Sequence, residues 1–183
     1  MKKKKDIQLV KLTPDLRPAL VEMAEDFHAA GEERFKNLLR MSDEDFFALL
    51  RDLETDAQAD DLPPGMAPQS TYWLIEGGAT IAGCCRLQHP PTAALEKEGG
   101  HIDYDLRPAY RGKGYLQPML AMALEKAGEL GLEQVVFTSD PEDADAIQAI
   151  EALGGQAIDL PNPGKHTKPM RRFQVQIARS AGS

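Results

Sequence analysis

Residues 111–115, with the sequence RGKGY, place two glycines and two cationic side chains directly before an apolar-periodic segment. A helix N-terminus offers several unpaired backbone N–H groups and a partial positive charge, so an anion binds well there. Gly112 and Gly114 would let the backbone approach an anion closely, while Arg111 and Lys113 add positive charge. The sequence therefore predicts a phosphate-binding loop at the start of a helix.

Two common nucleotide motifs do not fit this loop. The P-loop requires G-x-x-x-x-G-K-[ST], but Lys113 is followed by Gly114 and no Ser or Thr stands there to hold magnesium. The dinucleotide fingerprint G-x-G-x-x-G requires a third glycine where this chain has Gln117. A nucleotide-phosphate binder of another class is therefore the weakest hypothesis for the function of this loop, and two others follow below.

The segments around the loop predict an α/β chain with a mixed sheet. Helical stretches are expected at 13–31, at 32–40 leading into 42–54, at 114–131 and at 141–155, with apolar residues at helical spacing in 13–31, 42–54, 114–131 and 141–155. Short strand-like runs occupy 6–12, 71–76, 80–88, 101–106, 134–139, 156–160 and 171–178. The predicted order is β-α-α-β-β-β-α-β-α-β-β, with a hairpin meander in the middle followed by a strand–helix–strand crossover.

Local signals predict where several helices begin and end. Thr13 is an expected N-cap, and Ser42 with Asp45 resembles a capping box. Gly131 and Gly154 are expected to end the last two helices. Pro118 is tolerated in a first helical turn but not deeper, so the helix after the loop should begin near residue 114.

The overall charge narrows the classes of partner. A net charge of −8 and a pI near 5.0 argue against nonspecific binding to nucleic acid or to an anionic membrane. The four N-terminal lysines are not followed by the apolar stretch of a signal peptide, and no run approaches the length of a membrane span. Cys84 and Cys85 lie in an apolar run and are expected to be buried core residues. Because they are adjacent, they are a poor pair for a disulfide. We expect a cytoplasmic protein.

The loop and its neighbours resemble the GCN5-related N-acetyltransferase (GNAT) superfamily. Residues 111–116 fill the six positions of that superfamily's central motif, R/Q-x-x-G-x-G/A. The wider series GGHIDYDLRPAYRGKGYLQPML…FTSD…AIEALGG is similar to one bacterial subgroup, which typically carries a "GGHI-Y" strand, an "RGKGYA" loop and a helix ending in Gly-Gly. The resemblance covers most of the chain and is most specific between about residues 70 and 155.

This resemblance implies the GNAT acyl-CoA N-acyltransferase fold, a central and mostly antiparallel sheet whose fourth and fifth strands splay apart, flanked by helices. It implies a single domain over 1–183: a helical acceptor-side part at 1–69, a core with the CoA-binding motif at 70–160, and a C-terminal strand at 161–183. It also implies acetyl-CoA as the acyl donor. The four histidines and two adjacent cysteines show no ligand spacing, so no metal is expected. The cofactor-binding residues would be Asp105 and Leu106 through their backbones, and Arg111, Gly112, Lys113, Gly114 and Tyr115 at the phosphates.

Direct transfer from a thioester to an amine needs a base for the ammonium proton, donors for the oxyanion and a proton for the departing thiolate. The catalytic candidates are Glu98, His101 and Tyr104, and Glu96, Asp103 and Asp105 lie nearby. Strand alternation would place Asp103 and Asp105 on the face of His101. The expected acceptor is an amine of a small molecule or a peptide, and a homodimer is plausible.

Three residues depart from the family pattern. Leu116 stands where Gly or Ala is usual, and Asp143 where the family often has Asn. Ile150 occupies the place of a tyrosine that protonates the thiolate in many members, although the resembled subgroup also lacks it. This last departure motivates the second hypothesis, a non-catalytic CoA or acyl-CoA sensor or regulator with the same fold.

Overall fold

The computed structural model describes residues 5–58, 62, 67–89, 100–158 and 170–177. Its elements follow the predicted order. The strands are β1 (Ile7–Val10), β2 (Gln69–Glu76), β3 (Thr80–Gln88), β4 (Gly100–Leu106), β5 (Gln134–Ser139), β6 (Gln156–Ile158) and β7 (Arg171–Gln176). The α-helices are α1 (Arg17–Ala29), α2 (Asp43–Asp56), α3 (Leu116–Glu129) and α4 (Ala144–Ala152), and 3-10 turns occupy Pro14–Leu16, Glu33–Leu38 and Pro108–Tyr110.

The seven strands form one sheet in the order β1-β2-β3-β4-β5-β7-β6. The β1–β2, β5–β7 and β6–β7 pairs are antiparallel, and β4–β5 is parallel. The β4–β5 register joins Gly100 to Val135 and ends with Ile102 opposite Phe137, although β4 continues to Leu106. This mixed, mostly antiparallel sheet with flanking helices confirms the predicted fold class.

The chain divides into two compact units, residues 1–86 with 104–113 and residues 87–103 with 114–183. The boundaries fall within β4 and within the glycine loop. The single domain expected from the sequence stays a prediction.

In the first unit, the apolar face of α1 packs with the turn Glu33–Leu38 and strands β2 and β3. This core contains Leu20, Met23, Phe27, Phe46 and Trp73, all buried. In the second unit, α3 and α4 bury Met119, Leu120 and Ile150, and β5 and β7 bury Phe137 and Phe173. Cys84 and Cys85 are buried, unbridged thiols, as expected from the sequence.

Most predicted helix ends are confirmed. Ser42 Oγ accepts from the Asp45 N–H at 3.1 Å and Asp45 Oδ2 accepts from the Ser42 N–H at 3.0 Å, which completes the capping box. α3 ends two residues before Gly131 and α4 two residues before Gly154.

Thr13 is the N-cap residue of the turn Pro14–Leu16 and Pro14 stands in its first turn, as the sequence predicts, although the Thr13 hydroxyl donates to Asp15 Oδ1 and makes no capping hydrogen bond. Two other local predictions differ from the structure in detail. The stretch 32–40 forms a 3-10 turn with a kink at Phe35 rather than an α-helix. α3 begins at Leu116, two residues later than expected, which keeps Pro118 within the first turn where its missing N–H is tolerated.

Candidate functional site: a glycine loop at a helix N-terminus

The backbone of the loop has the left-handed conformations that its glycines permit. Gly112 has φ 68° and Gly114 has φ 77°, a region that costs a residue with a Cβ of the order of 1 kcal/mol. A Cβ added at Gly112 would meet nothing within 4 Å, so the backbone conformation rather than crowding calls for glycine there. Residues 111–114 are exposed, which leaves the loop accessible to a ligand.

The helix that follows the loop begins without a side-chain cap. Tyr115 is the N-cap residue, and its side chain makes no capping hydrogen bond to the first turn of α3. The first turn of α3 also contains no acidic residue. The partial positive charge of this N-terminus is therefore not offset by a carboxylate within its own first turn, which favours an anion.

Arg111 is held by groups from other elements. Its Nη1 and Nη2 donate to the two carboxylate oxygens of Glu32 at 2.5 and 3.0 Å, and its Nε donates to the Leu106 carbonyl at 3.0 Å. The guanidinium carbon also lies 5.6 Å from the centre of the Phe27 ring. The hydrogen bond from Arg111 lowers the pKa of Glu32, although partial burial opposes this, and the charges of Arg111 and Arg34 lower it further. Sequence reasoning missed Glu32.

Lys113 is exposed, and its backbone carbonyl accepts a hydrogen bond from Lys5 Nζ. Lys5 precedes β1, so the start of the chain brings a second ammonium group to the backbone of the glycine loop.

The turn between β4 and the loop is fixed by α1. Arg107 has a largely buried side chain whose Nε donates to Asp26 at 2.9 Å, Nη2 to Glu22 at 3.2 Å and Nη1 to the Ile81 carbonyl at 3.3 Å. Burial opposes the charged form of Arg107, but the bonds to Asp26 and Glu22 outweigh it and raise its pKa. The carboxylates of Asp26 and Glu22 thus stabilise the charged form of the buried Arg107, four residues before the glycine loop.

Tyr110, in the turn before the loop, is half-buried. Burial raises the pKa of its phenol, and the charge of Glu76 and a hydrogen bond to that carboxylate raise it further.

The catalytic candidates of the sequence lie on opposite faces of β4 or outside the described residues. His101 and Tyr104 are both half-buried, and alternation along the strand points their side chains to opposite faces. Asp103, which is exposed, and Asp105, which is buried, share the face of His101. Glu96 and Glu98 lie outside the described residues.

Asp105 is a buried carboxylate bound by two arginines. Arg86 Nη2 donates to its Oδ2 at 2.6 Å, and Arg34 forms an ion pair with its Oδ1. A buried carboxylate needs such partners, because an isolated charge in the interior is costly. The sequence predicted a backbone role for Asp105; the structure adds a structural role for its side chain, with two arginines that local patterns did not indicate.

The structure accounts for two of the three departures from the family pattern. Asp143 is the N-cap of α4, where its side chain accepts from the Ala146 N–H at 3.1 Å. Ile150 is fully buried within α4, and a Cβ at Gly155 would lie 2.6 Å from its side chain. Leu116 is half-buried at the first position of α3, and no contact explains the choice of leucine there.

Two further observations concern the described part of the chain. It contains no group of three or more His, Cys, Asp or Glu side chains that could hold a metal ion. None of its helices combines the length and the apolar character needed to cross a membrane.

The fold and the loop define an acyltransferase-like architecture, and comparison with known families agrees. The model of the acetyltransferase (GNAT) domain family matches residues 7–156. This chain belongs to the GNAT acetyltransferase family. No curated protein matches it as a sequence relative.

Solved structures show the same fold at low sequence identity. RimL, a ribosomal-protein alpha-N-acetyltransferase in complex with coenzyme A, superimposes with a TM-score of 0.71 at 11% identity, covering 97% of each chain. RimJ of Mycobacterium smegmatis, with a CoA disulfide, gives a TM-score of 0.69 at 14% identity, covering 93% of this chain and 81% of its own. The yncA protein of Salmonella typhimurium, with its cofactor acetyl-CoA, gives 0.59 at 14% identity, covering 97% of each chain.

Proposed function

We propose that this protein is an acetyl-CoA-dependent N-acetyltransferase that transfers an acetyl group directly to a primary amine of a small molecule or peptide. The observation that carries the proposal is the glycine loop, with Gly112 and Gly114 in left-handed conformations directly before an uncapped helix. Backbone amides arranged in this way suit a pyrophosphate. Family membership supports the choice of coenzyme A over other phosphate compounds.

The end of β4 would bind the pantetheine arm. β4 extends four residues past its register with β5, and an amide-bearing chain can add to a strand through main-chain hydrogen bonds. We assign this role to the backbones of Asp105 and Leu106. The Leu106 carbonyl already accepts from Arg111, but a carbonyl oxygen has two lone pairs and can accept a second donor.

The reaction forms a bond between the amine nitrogen and the acetyl carbon and breaks the carbon–sulfur bond. The amine must lose a proton before or during attack, and the departing thiolate gains one. Backbone N–H groups of β4 would stabilise the oxyanion on the acetyl carbonyl. No covalent enzyme intermediate is needed.

For the proton transfers we propose His101 or Glu98 as the base and Tyr104 as the acid. Because His101 and Tyr104 lie on opposite faces of β4, base and acid would act from the two sides of the strand that holds the thioester.

The named structural relatives support an amine acceptor. RimL is described as an alpha-N-protein acetyltransferase and yncA carries acetyl-CoA. By analogy, the acceptor here would be an amine of a peptide or of a small molecule. We propose a cytoplasmic location and a homodimer on sequence grounds alone.

A non-catalytic CoA or acyl-CoA sensor is the second candidate. The observation that favours it is the complete burial of Ile150, which cannot donate a proton where many family members have a tyrosine. In that case the loop would bind coenzyme A, but no transfer would follow.

An assay of thiol release from acetyl-CoA with a panel of amines and N-terminal peptides distinguishes the two candidates. Steady CoA release that depends on one class of amine supports the acetyltransferase, and tight CoA binding without release supports the sensor. Under the first proposal, Tyr104→Phe lowers kcat by about 10²-fold, the usual contribution of a general acid. Tyr72→Phe, on β2, is the matched control and leaves kcat unchanged.

A further inference from the structure

We propose that Glu32 is a positioning residue for the glycine loop, and that Arg111 holds the loop in place through Glu32 and Leu106 instead of contacting the phosphates. The inference rests on the proposed function and differs from the expectation that the Arg111 side chain helps to bind phosphate.

The guanidinium group of Arg111 contacts three other residues. Both terminal nitrogens face the Glu32 carboxylate, Nε faces the Leu106 carbonyl, and the aromatic face of Phe27 lies beside the group. A two-pronged arginine–carboxylate pair fixes direction as well as distance. The side chain is therefore tied to the segment after α1 and to the end of β4, while its backbone leads directly into Gly112.

Glu32 is itself held from the other side. Arg34 Nε lies 3.7 Å from Glu32 Oε2, and Arg34 also pairs with Asp105, which Arg86 binds at 2.6 Å. These residues form a chain of alternating charges from β3 through β4 and the turn Glu33–Leu38 to the glycine loop. Such a network holds its members in place more firmly than an isolated surface pair would.

The charge of Arg111 is thus already balanced by Glu32. To turn both terminal nitrogens of Arg111 onto a phosphate, the protein would have to break the two-pronged bond to Glu32 and leave that carboxylate close to the anion. The loop amides and the α3 N-terminus need no such rearrangement. The two roles predict opposite effects of removing the Glu32 charge on CoA binding. If Arg111 binds phosphate directly, its side chain is freed to do so and binding is unchanged or tighter. If Arg111 positions the loop through Glu32, that support is lost and binding is weaker.

A double-mutant cycle on CoA binding separates these roles. We expect Glu32→Gln and Arg111→Ala each to raise the Kd for CoA about three- to tenfold. The Kd of the double variant should not exceed the larger Kd of the two single variants, because both substitutions remove the same interaction. Glu33→Gln removes a neighbouring charge that pairs with Lys36 and His28, and it should leave the Kd unchanged. Unchanged or tighter binding by Glu32→Gln, with weaker binding by Arg111→Ala, overturns the inference.

A second measurement does not depend on ligand. In the free protein, the ¹⁵N order parameters of the Gly112 and Gly114 amides should fall in Glu32→Gln from near the rigid value of about 0.85 towards about 0.6. Equal values in wild type and variant overturn the positioning role. If wild-type protein binds no CoA, the proposed function fails, and the order parameters alone then decide whether Glu32 holds the loop.

Discussion

Arg107 Nε donates to Asp26 Oδ2 at 2.9 Å, and the same oxygen accepts the N–H of Ala109 at 3.2 Å. The Asp26 carboxylate on α1 thus binds both the side chain of Arg107, the residue directly after β4, and the backbone of the turn that precedes the glycine loop. The N-terminal helix is therefore part of the support of the candidate site.

Removal of this carboxylate should destabilise the protein. Asp26→Ala leaves the buried Arg107 with a weakened set of partners, and we expect a loss of about 2 kcal/mol in the free energy of unfolding. Urea denaturation measures it. Asp43→Ala is the matched control, since Asp43 is exposed and its pair with Arg17 should contribute less than about 1 kcal/mol. Equal losses in the two variants would contradict the role given to Asp26.

The Glu32–Arg111 pair predicts a dependence of stability on pH. Arg111 holds the pKa of Glu32 below its usual value of 4.5, so the unfolded chain binds more protons than the folded one in this range. The contribution of the pair is complete above the unfolded pKa and is lost as the pH falls through the folded pKa. In Glu32→Gln this part of the acid destabilisation should vanish. Unfolding curves from pH 7 to about pH 3 test this, and parallel profiles for wild type and variant would count against it.

The capping box of α2 should contribute measurably to stability. Ser42→Ala removes the hydroxyl that accepts from Asp45 N–H, and we expect a loss of about 1 kcal/mol. Thr13→Ala serves as control, since Thr13 caps no helix backbone group through its side chain. Thermal denaturation of both variants provides the comparison, and a larger effect at Thr13 would show that the two caps have been assigned wrongly.

Asp143 offers a test of a departure from the family pattern. As an N-cap it should be replaceable by Asn at almost no cost, whereas Asp143→Ala should lose about 1 kcal/mol. The same stability for all three proteins in chemical denaturation would rule out the capping role.

Local patterns in the sequence were sufficient for the order of the elements, the capping box and the glycine loop, because each depends on residues close together in the chain. The ion pairs around the loop were not predictable in this way. Glu32 and Arg111 are 79 residues apart, and Glu22 and Arg107 are 85 apart, so no spacing rule links them. From the sequence, the helical part at 1–69 is assigned only to the acceptor side.

The segment 32–40 shows a different limit of sequence reasoning. Its apolar spacing suggested an α-helix, but Phe35 has φ −115° and ψ 17°, and its ring packs 4.7 Å from that of Phe27. Tertiary packing against α1 overrides a weak helical preference there. The resulting 3-10 turn presents Arg34 to Asp105, a contact that helical periodicity does not predict.

The central claim is that the glycine loop binds the phosphates of acetyl-CoA. Isothermal titration calorimetry with acetyl-CoA, on wild type and Gly114→Ala, tests it most directly. We expect saturable binding to wild type and about tenfold weaker binding to the variant, because φ 77° at position 114 is strained for alanine and the loop amides would turn away. Absence of binding to wild type at millimolar acetyl-CoA, or equal affinity in the variant, would contradict the account.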